Sequence, residues 1–452
     1  MRFAQNLILT ISGRFVLKGA NLISIILISR ILDASDFGLF GLVVSAGAII
    51  SAIGHLGVRQ SGAQLLGSGS IELGQYYRAS MLSSPLLLIV VLGSTYHLLY
   101  KANVPIDIFV SGTVWVITLT LVGWLQGAML GLNDFSSFNL IESLPRALFA
   151  ACLLVAWMFP SAGGGLSVTS LILLQSFLVA TSVAFFIIRL SRRFDTPSQE
   201  VLDPSGNDAK DSTLTKSASD ARILIESGVT FALAVLLVTS IDRVGVWSVQ
   251  QAKGSEAAGN FFAALQANQI LFEVAAAIGL VLFSDSTRAK SPGDAVARIA
   301  KISRLLLALL TVPAVIFALL AEMVCHLLFG RASADMLTAF VVLSIGSPLI
   351  VVTKIIYAGF SGTGDRRFGL VIYGVGFIVA ICLNYILPGA GTVKNASLGV
   401  VFGYLAAFVC AISYLTLATA TRPSYFLIAR RSDFEEIWIR LSAALRRLYE
   451  AR

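Results

Sequence analysis

Apolar residues run along this chain in twelve stretches, each about as long as the 20 or so residues a helix needs to cross a bilayer. They fall at roughly 6–29, 37–57, 79–100, 106–130, 139–159, 166–189, 222–248, 257–284, 300–321, 335–358, 368–388 and 397–420. Length and near-continuous apolarity predict twelve transmembrane helices, hence an all-α integral membrane protein. Residues 190–220 interrupt the series with Ser, Asp, Pro and charge. That composition buries no core and reads as a flexible linker. The expected organisation is a six-helix bundle over 1–189, the linker 190–220, a second six-helix bundle over 221–420, and a tail over 421–452.

The two halves echo each other in order. Ser12-Gly13 and Ser227-Gly228 open the first and seventh spans, and Arg30 and Arg243 lie toward their far ends. Gly38 and Gly259 open the next spans, and Pro85 matches Pro313. Gly131-x-x-Asp134 matches Gly362-x-x-Asp365. The offsets drift from 213–215 to 231, as repeats with loop insertions would. Six spans per unit is an even number, so the halves share one topology, related by a pseudo-twofold axis along the membrane normal. Such repeats commonly hold a substrate between two rocking bundles.

Composition sharpens this reading. The chain is 56% hydrophobic and 13% charged, against about 25% charged for soluble domains, so no residues remain for a large soluble catalytic domain. Basic residues gather in cytoplasmic loops. With the N-terminus inside, 24 of the 33 Lys and Arg face inward and five outward, which predicts cytoplasmic termini. The net charge of +8 follows from that asymmetry, so nucleic acid is not an expected partner. Cys152, Cys325, Cys382 and Cys410, and His55, His97 and His326, form no ligand spacing, so no metal is expected.

The polar residues inside the spans are the candidate chemistry. Arg14, Lys18 and Asn21 share one face of span 1, at i, i+4 and i+7. A lone cation at mid-bilayer costs about 2.5–3.5 kcal/mol, so the stripe reads as the wall of a wet cavity or a binder of anions. Span 8 carries Gln266, Gln269 and Glu273 on one face, span 7 carries Asp242 and Arg243, and span 10 carries Lys354. The plain alternatives are that Lys354 snorkels to the inner surface, that Asp242 and Arg243 sit at the outer interface, and that Glu142 and Arg146 are a helix-end pair.

The opening segment SGRFVLKGANLISIILISRILDASDFGLFGLVVSAGAIISAIGHLG resembles the first hairpin of oligosaccharide flippases of the polysaccharide-transport family. The resemblance rests on Ser12-Gly13, Arg30-Ile31-Leu32, Asp36-Phe37-Gly38-Leu39-Phe40 and Leu56-Gly57. In the second half it rests on Asp242-Arg243 and Glu256-Ala257-Ala258-Gly259-Asn260-Phe261. That family shares a superfamily with multidrug and toxic compound extrusion transporters and the lipid II flippase. The lipid II flippase has extra helices that this chain lacks. The resemblance implies transport of undecaprenyl-diphosphate-linked oligosaccharide to the outer face of a bacterial inner membrane. It also implies polysaccharide polymerase and chain-length proteins as partners beside membrane lipids. Arg14 and Lys18 fit the family's cationic cavity, helped by Arg243 and Lys354. Glu273 is the candidate for proton or sodium coupling, with Asp242, Gln266 and Gln269 near it; no cofactor is expected.

Two other functions fit a polytopic chain. A drug or metabolite antiporter of the same superfamily would favour an acidic, aromatic cavity. A membrane glycosyltransferase or polymerase would need a sizeable outward loop, and the longest expected here is only about 249–256. The Gly362–Arg367 loop lacks a phosphate-loop pattern. In the tail, Ser432-x-x-Glu435 reads as a capping box. The stripe Phe434, Ile437, Trp438, Leu441, Leu445 and Leu448 reads as a helix on the anionic inner leaflet.

Overall fold

Within hydrocarbon, backbone N–H and C=O groups must pair with one another, and a helix pairs them within one segment. In a computed structural model of the chain, the described residues of the expected spans are almost all helical. It describes residues 2–435 apart from 55–56, 68–69, 101–103, 133, 160–164, 195–208, 270–277, 280–281, 283–291, 362–364, 366, 387–388, 390, 431–432 and 434; some side chains within helices are also outside the described set. In the first half α1 spans Arg2–Ile31, α2 Ala34–Gly54, α3 Val58–Gly67, α4 Leu73–Thr95, α5 Ile106–Gly131, α6 Phe135–Met158 and α7 Val168–Phe194. In the second half α8 spans Ala209–Lys253, α9 Ser255–Asn268, α10 Pro292–Leu319, α11 Ala321–Phe329, α12 Ala334–Ser361, α13 Arg367–Tyr385, α14 Val393–Thr419 and α15 Ser424–Leu427.

Nine of these, among the described residues, are long and apolar enough to cross a membrane. The expected spans that contain α1 and α4, and the one that α9 opens, complete the twelve of a two-lobe bundle. Helix α4 contains Pro85 and runs into a π-helical turn at Tyr96–Tyr100, while α10 contains Pro313 and breaks at Leu320 before α11. Proline removes a ladder hydrogen bond and bends a helix, so the matched prolines sit in matched, interrupted spans.

The packing repeats as well. Helix α1 packs on α6 as α8 packs on α13, and α5 packs on α7 as α12 packs on α14. The two Gly-x-x-Asp sequences share one job: Asp134 accepts the Ser137 backbone N–H at 3.0 Å and Asp365 that of Arg367 at 3.0 Å. Each caps orphan donors at the start of the following helix.

Two expectations change. Helix α8 begins at Ala209, so helix occupies the end of the stretch read as linker; no Gly or Pro stands between 209 and 227 to stop the span from propagating outward. Residues 195–208 lie outside the described set. The segment 249–256, read as the longest outward loop, shrinks to Gly254, whose φ of 83° is the left-handed conformation that favours glycine. Of the tail, residues 421–430, Asp433 and Glu435 are described, and the apolar stripe is outside the described residues.

The halves meet along α2, which packs on α9 and α8. At the end of α2 remote from the basic loops, called here the far face, a methyl group at Gly38 would overlap the Ser255 carbonyl. One at Gly259 would overlap the Ala34 carbonyl. Both pairs are related by the same 221-residue offset, so the contact is reciprocal, like that between two copies around a twofold axis. Gly41 lies against Phe262, its own counterpart at that offset. Arg30 adds a bond across the seam, donating to the Leu327 carbonyl at 2.9 Å.

Candidate functional site

A cavity of about 330 Å³ opens between the halves. It reaches from mid-bilayer, where Lys18 and Trp115 line it, toward the basic face, where Arg59 of α3 joins its wall. Lys18 and Asn21 are one helical turn apart and face it together. The Asn21 Oδ1 accepts Arg146 Nη1 at 3.2 Å, and the Glu142 Oε2 accepts Gln126 Nε2 at 2.9 Å. Glu142 and Arg146 are likewise one turn apart on α6. These bonds tie α1, α5 and α6 together inside hydrocarbon, where polar side chains across helices act as ties. Gln175 of α7 adds a further polar group to the wall.

The second half contributes Arg243, Gln266 and Gln269. Arg243 is 7% exposed, and its guanidinium lies 5.8 Å from the Phe262 ring centre. Its Nε and Nη1 are buried with no hydrogen-bond partner among the described residues. Buried donors left unpaired cost about 1–3 kcal/mol, more for charged groups. Arg243 is therefore a cation placed in a cavity wall with bonding capacity to spare.

The neighbouring side chain serves a different cluster. Asp242 Oδ2 accepts the Lys354 ammonium at 3.4 Å, and its Oδ1 accepts the Tyr404 hydroxyl at 2.8 Å. The cluster joins α8, α12 and α14 within the second bundle. It overturns the snorkelling alternative for Lys354, whose side chain turns to a buried partner. Asp242 and Arg243, expected from sequence alone to lie at either the outer interface or a cavity, are 6% and 7% exposed within the protein.

Of the residues expected from sequence, Lys18, Asn21, Arg243, Gln266 and Gln269 share the cavity, and Asp242 and Lys354 pair beside it. The Arg14 side chain and Glu273 lie outside the described residues; the register of α1 puts Arg14 one turn from Lys18. Sequence reasoning left out Arg59, Gln126 and Gln175, and it set Glu142 and Arg146 aside as a helix-end pair. That expectation fails because α6 begins at Phe135, which carries both residues two to three turns into the bundle. A lone Gln in an otherwise apolar span, as at 126 and 175, was the signal available. Among the described lining residues Lys18, Arg59, Arg146 and Arg243 face one carboxylate, Glu142. No group of side chains suited to a metal ion occurs among the described residues.

Comparison with known proteins places this geometry. No family model matches the chain, and no curated protein matches it. Solved structures do. One is an inward-facing multidrug resistance MATE family transporter of the MOP superfamily, at 14% identity and TM-score 0.60, covering 92% of this chain and 98% of that one. A MATE protein in complex with MaL6 matches at 16% identity and TM-score 0.62, covering 92% and 96%. The lipid II flippase MurJ, in an inward closed conformation, matches at 12% identity and TM-score 0.59, covering 98% and 93%. Over nearly its whole length, the chain has the two-lobe, twelve-helix fold shared by these MATE and MurJ structures.

Proposed function

We propose that this chain is a flippase that moves a polyprenyl-diphosphate-linked oligosaccharide from the cytoplasmic to the outer face of a bacterial inner membrane, for surface polysaccharide assembly. The observation that carries the reading is the cavity wall itself: four cations against one carboxylate, with two donors of Arg243 unpartnered among the described residues. A diphosphate and its glycan do not cross hydrocarbon unaided. Arginine forks suit phosphate oxygens, and lysine supplies a mobile point charge. Lys18, Arg146 and Arg243 receive the diphosphate, Asn21, Gln266 and Gln269 bond to sugar hydroxyls, and the polyprenyl tail stays in lipid. Rocking of the halves about α2 exposes the cavity to either face. Asp242, paired to Lys354, and Glu273 are the candidates for ion coupling. Polymerase and chain-length proteins are the expected recipients of the product.

A second reading, antiport of cationic drugs, is favoured by the MATE likeness and by Trp115 and Glu142 in the wall. The charge balance counts against it, since four cations repel a cationic solute.

Leaflet-resolved labelling of the lipid-linked oligosaccharide, in cells with and without the protein, separates the two. The expected result is inner-leaflet accumulation on deletion, relieved by wild type. Lys18→Ala and Arg243→Ala each slow the relief roughly tenfold or more, since a hydrogen bond to a charged group contributes about 1.5–3 kcal/mol. An unchanged lipid-linked pool with altered drug susceptibility establishes the antiporter instead.

A further inference from the structure

Glu142 has no place in the anion-binding reading: a carboxylate in an anion's cavity repels the ligand. Yet it is built in. Gln126 of α5 donates to it at 2.9 Å, and Arg146, one turn on, has it as its charged neighbour. Arg146 is in turn held by Asn21, beside Lys18. Among the described lining residues Glu142 is the one negative charge, set among the cations of α1, α3, α6 and α8.

We infer that Glu142 is the resident counter-ion of the substrate site, an internal stand-in for the ligand's diphosphate. In the empty carrier it neutralises Arg146 and, through the shared cavity, Lys18. When a diphosphate arrives it takes over those cations, and Glu142 is left with its Gln126 bond alone or accepts a proton. On release, the carboxylate returns. The cavity thus never carries its cations bare inside the bilayer, where an unmatched charge is costly. The empty bundle can then rock back without cargo. Electrostatic competition of this kind fixes a sign that a packing role does not: removing the carboxylate tightens anion binding and slows turnover.

The groups facing Glu142 settle how pH acts. Helix α1 presents Lys18, α3 Arg59, α6 Arg146 and α8 Arg243, all basic side chains; α5 and α7 present the uncharged Gln126 and Gln175. Arg14, whose side chain is not described, adds a further cation on α1. Glu142 is therefore the one carboxylate among these residues whose protonation takes a negative charge out of the cavity. Comparing two variants at each pH cancels titration of the probe.

The inference rests on the anion-binding reading, and one experiment distinguishes the failure of each. The full-length protein in detergent is titrated with geranyl diphosphate by calorimetry, for wild type, Lys18→Ala and Glu142→Gln. Expected are weaker binding by Lys18→Ala and tighter binding by Glu142→Gln, on the order of tenfold. The ratio of Glu142→Gln to wild-type affinity should fall toward one as pH is lowered. Should the glutamine variant not fold, Glu142→Asp, one methylene shorter and withdrawn from Arg146, gives the same sign with smaller amplitude. If wild type binds and Lys18→Ala weakens it, while the Glu142 variant binds no more tightly at any pH, the counter-ion role is overturned and the anion site stands. If wild type does not bind the diphosphate, the anion site falls and the counter-ion with it.

Discussion

Two adjacent side chains on α8 divide the charge of the second half between the bundle interior and the cavity. Arg243 faces the cavity, whereas Asp242 turns into the bundle and gathers Lys354 and Tyr404. Removing one partner of a buried pair costs about 3–5 kcal/mol, an upper bound here because Lys354 keeps 25% of its exposure. The two partners are unequal. Asp242→Asn leaves Lys354 and Arg243 as two cations without their carboxylate, while Lys354→Met leaves Asp242 with Arg243 beside it and Tyr404 still donating. Thermal unfolding in detergent should therefore fall further for Asp242→Asn than for Lys354→Met. The double variant should recover part of the loss, since it leaves neither charge of the pair facing a neutral partner. Equal unfolding temperatures for wild type and both single variants would remove the pair from the stability of the fold. Sequence located these residues but not their pairing. Hydropathy sets depth by counting along a span, and it put Asp242 near one surface and Lys354 near the other. Helix tilt and a long lysine stem close such a gap. Glu142 failed in the same way, because an apolar window placed the start of its span four residues too late.

At the level of elements, the chain after α14 is strapped to the second bundle by Arg304, beside the burial of Phe426. Arg304 of α10, 4% exposed, donates to both Asp433 oxygens, at 2.9 and 2.8 Å, and to the Tyr425 carbonyl at 2.7 Å. Both Arg304 and Arg430 also lie over the Tyr425 ring, at 5.4 and 5.3 Å. The hydrogen bonds from Arg304 hold the Asp433 carboxyl below its ordinary 3.8, aided by the Arg430 backbone N–H and opposed by burial. A lowered folded value means that the stabilisation is fully present above 3.8 and is lost as pH falls through the folded value, which lies below it. Proteolysis beyond residue 430 should accordingly be unchanged between neutral pH and pH of about 5, and should rise only in stronger acid. Asp433→Asn should release the segment at neutral pH, and a variant as protected as wild type would show that the strap is dispensable. The sequence held the apolar stripe of the tail in view but gave no sign of this strap. Arg304 reads there as one more positive-inside residue, and Asp433 as an interior letter of a capping box.

For the whole molecule, the repeat was legible as spaced pairs of residues, and the structure gives each pair a physical role. Asp134 and Asp365 cap equivalent helices, and Pro85 and Pro313 sit in equivalent interrupted spans. What spacing could not supply is that Gly38 and Gly259 touch each other's helices. Equivalence in a repeat says nothing about contact until the axis is known to pass between the two positions. Once it does, both glycines bear on one question, whether α2 and α9 close the far face of the cavity. A side chain at either position collides with backbone rather than with a movable side chain, so the helices must part. Gly38→Leu should wedge the halves open at that face, and Gly259→Leu should do the same, because the contact is reciprocal.

A reporter exists in Ala258, which is fully buried on α9 one residue from the crossing. In a protein whose native Cys residues are replaced, Ala258→Cys should resist a membrane-impermeant maleimide when the glycines are present and react several-fold faster in either leucine variant. On the proposed flippase function, transport should fall in both, because a carrier held open at one face cannot return. Labelling that rises for one glycine and not the other would break the symmetry of the seam. Continued protection together with normal transport in both variants would mean that α2 and α9 part elsewhere, and that the reciprocal contact is a hinge and not a gate.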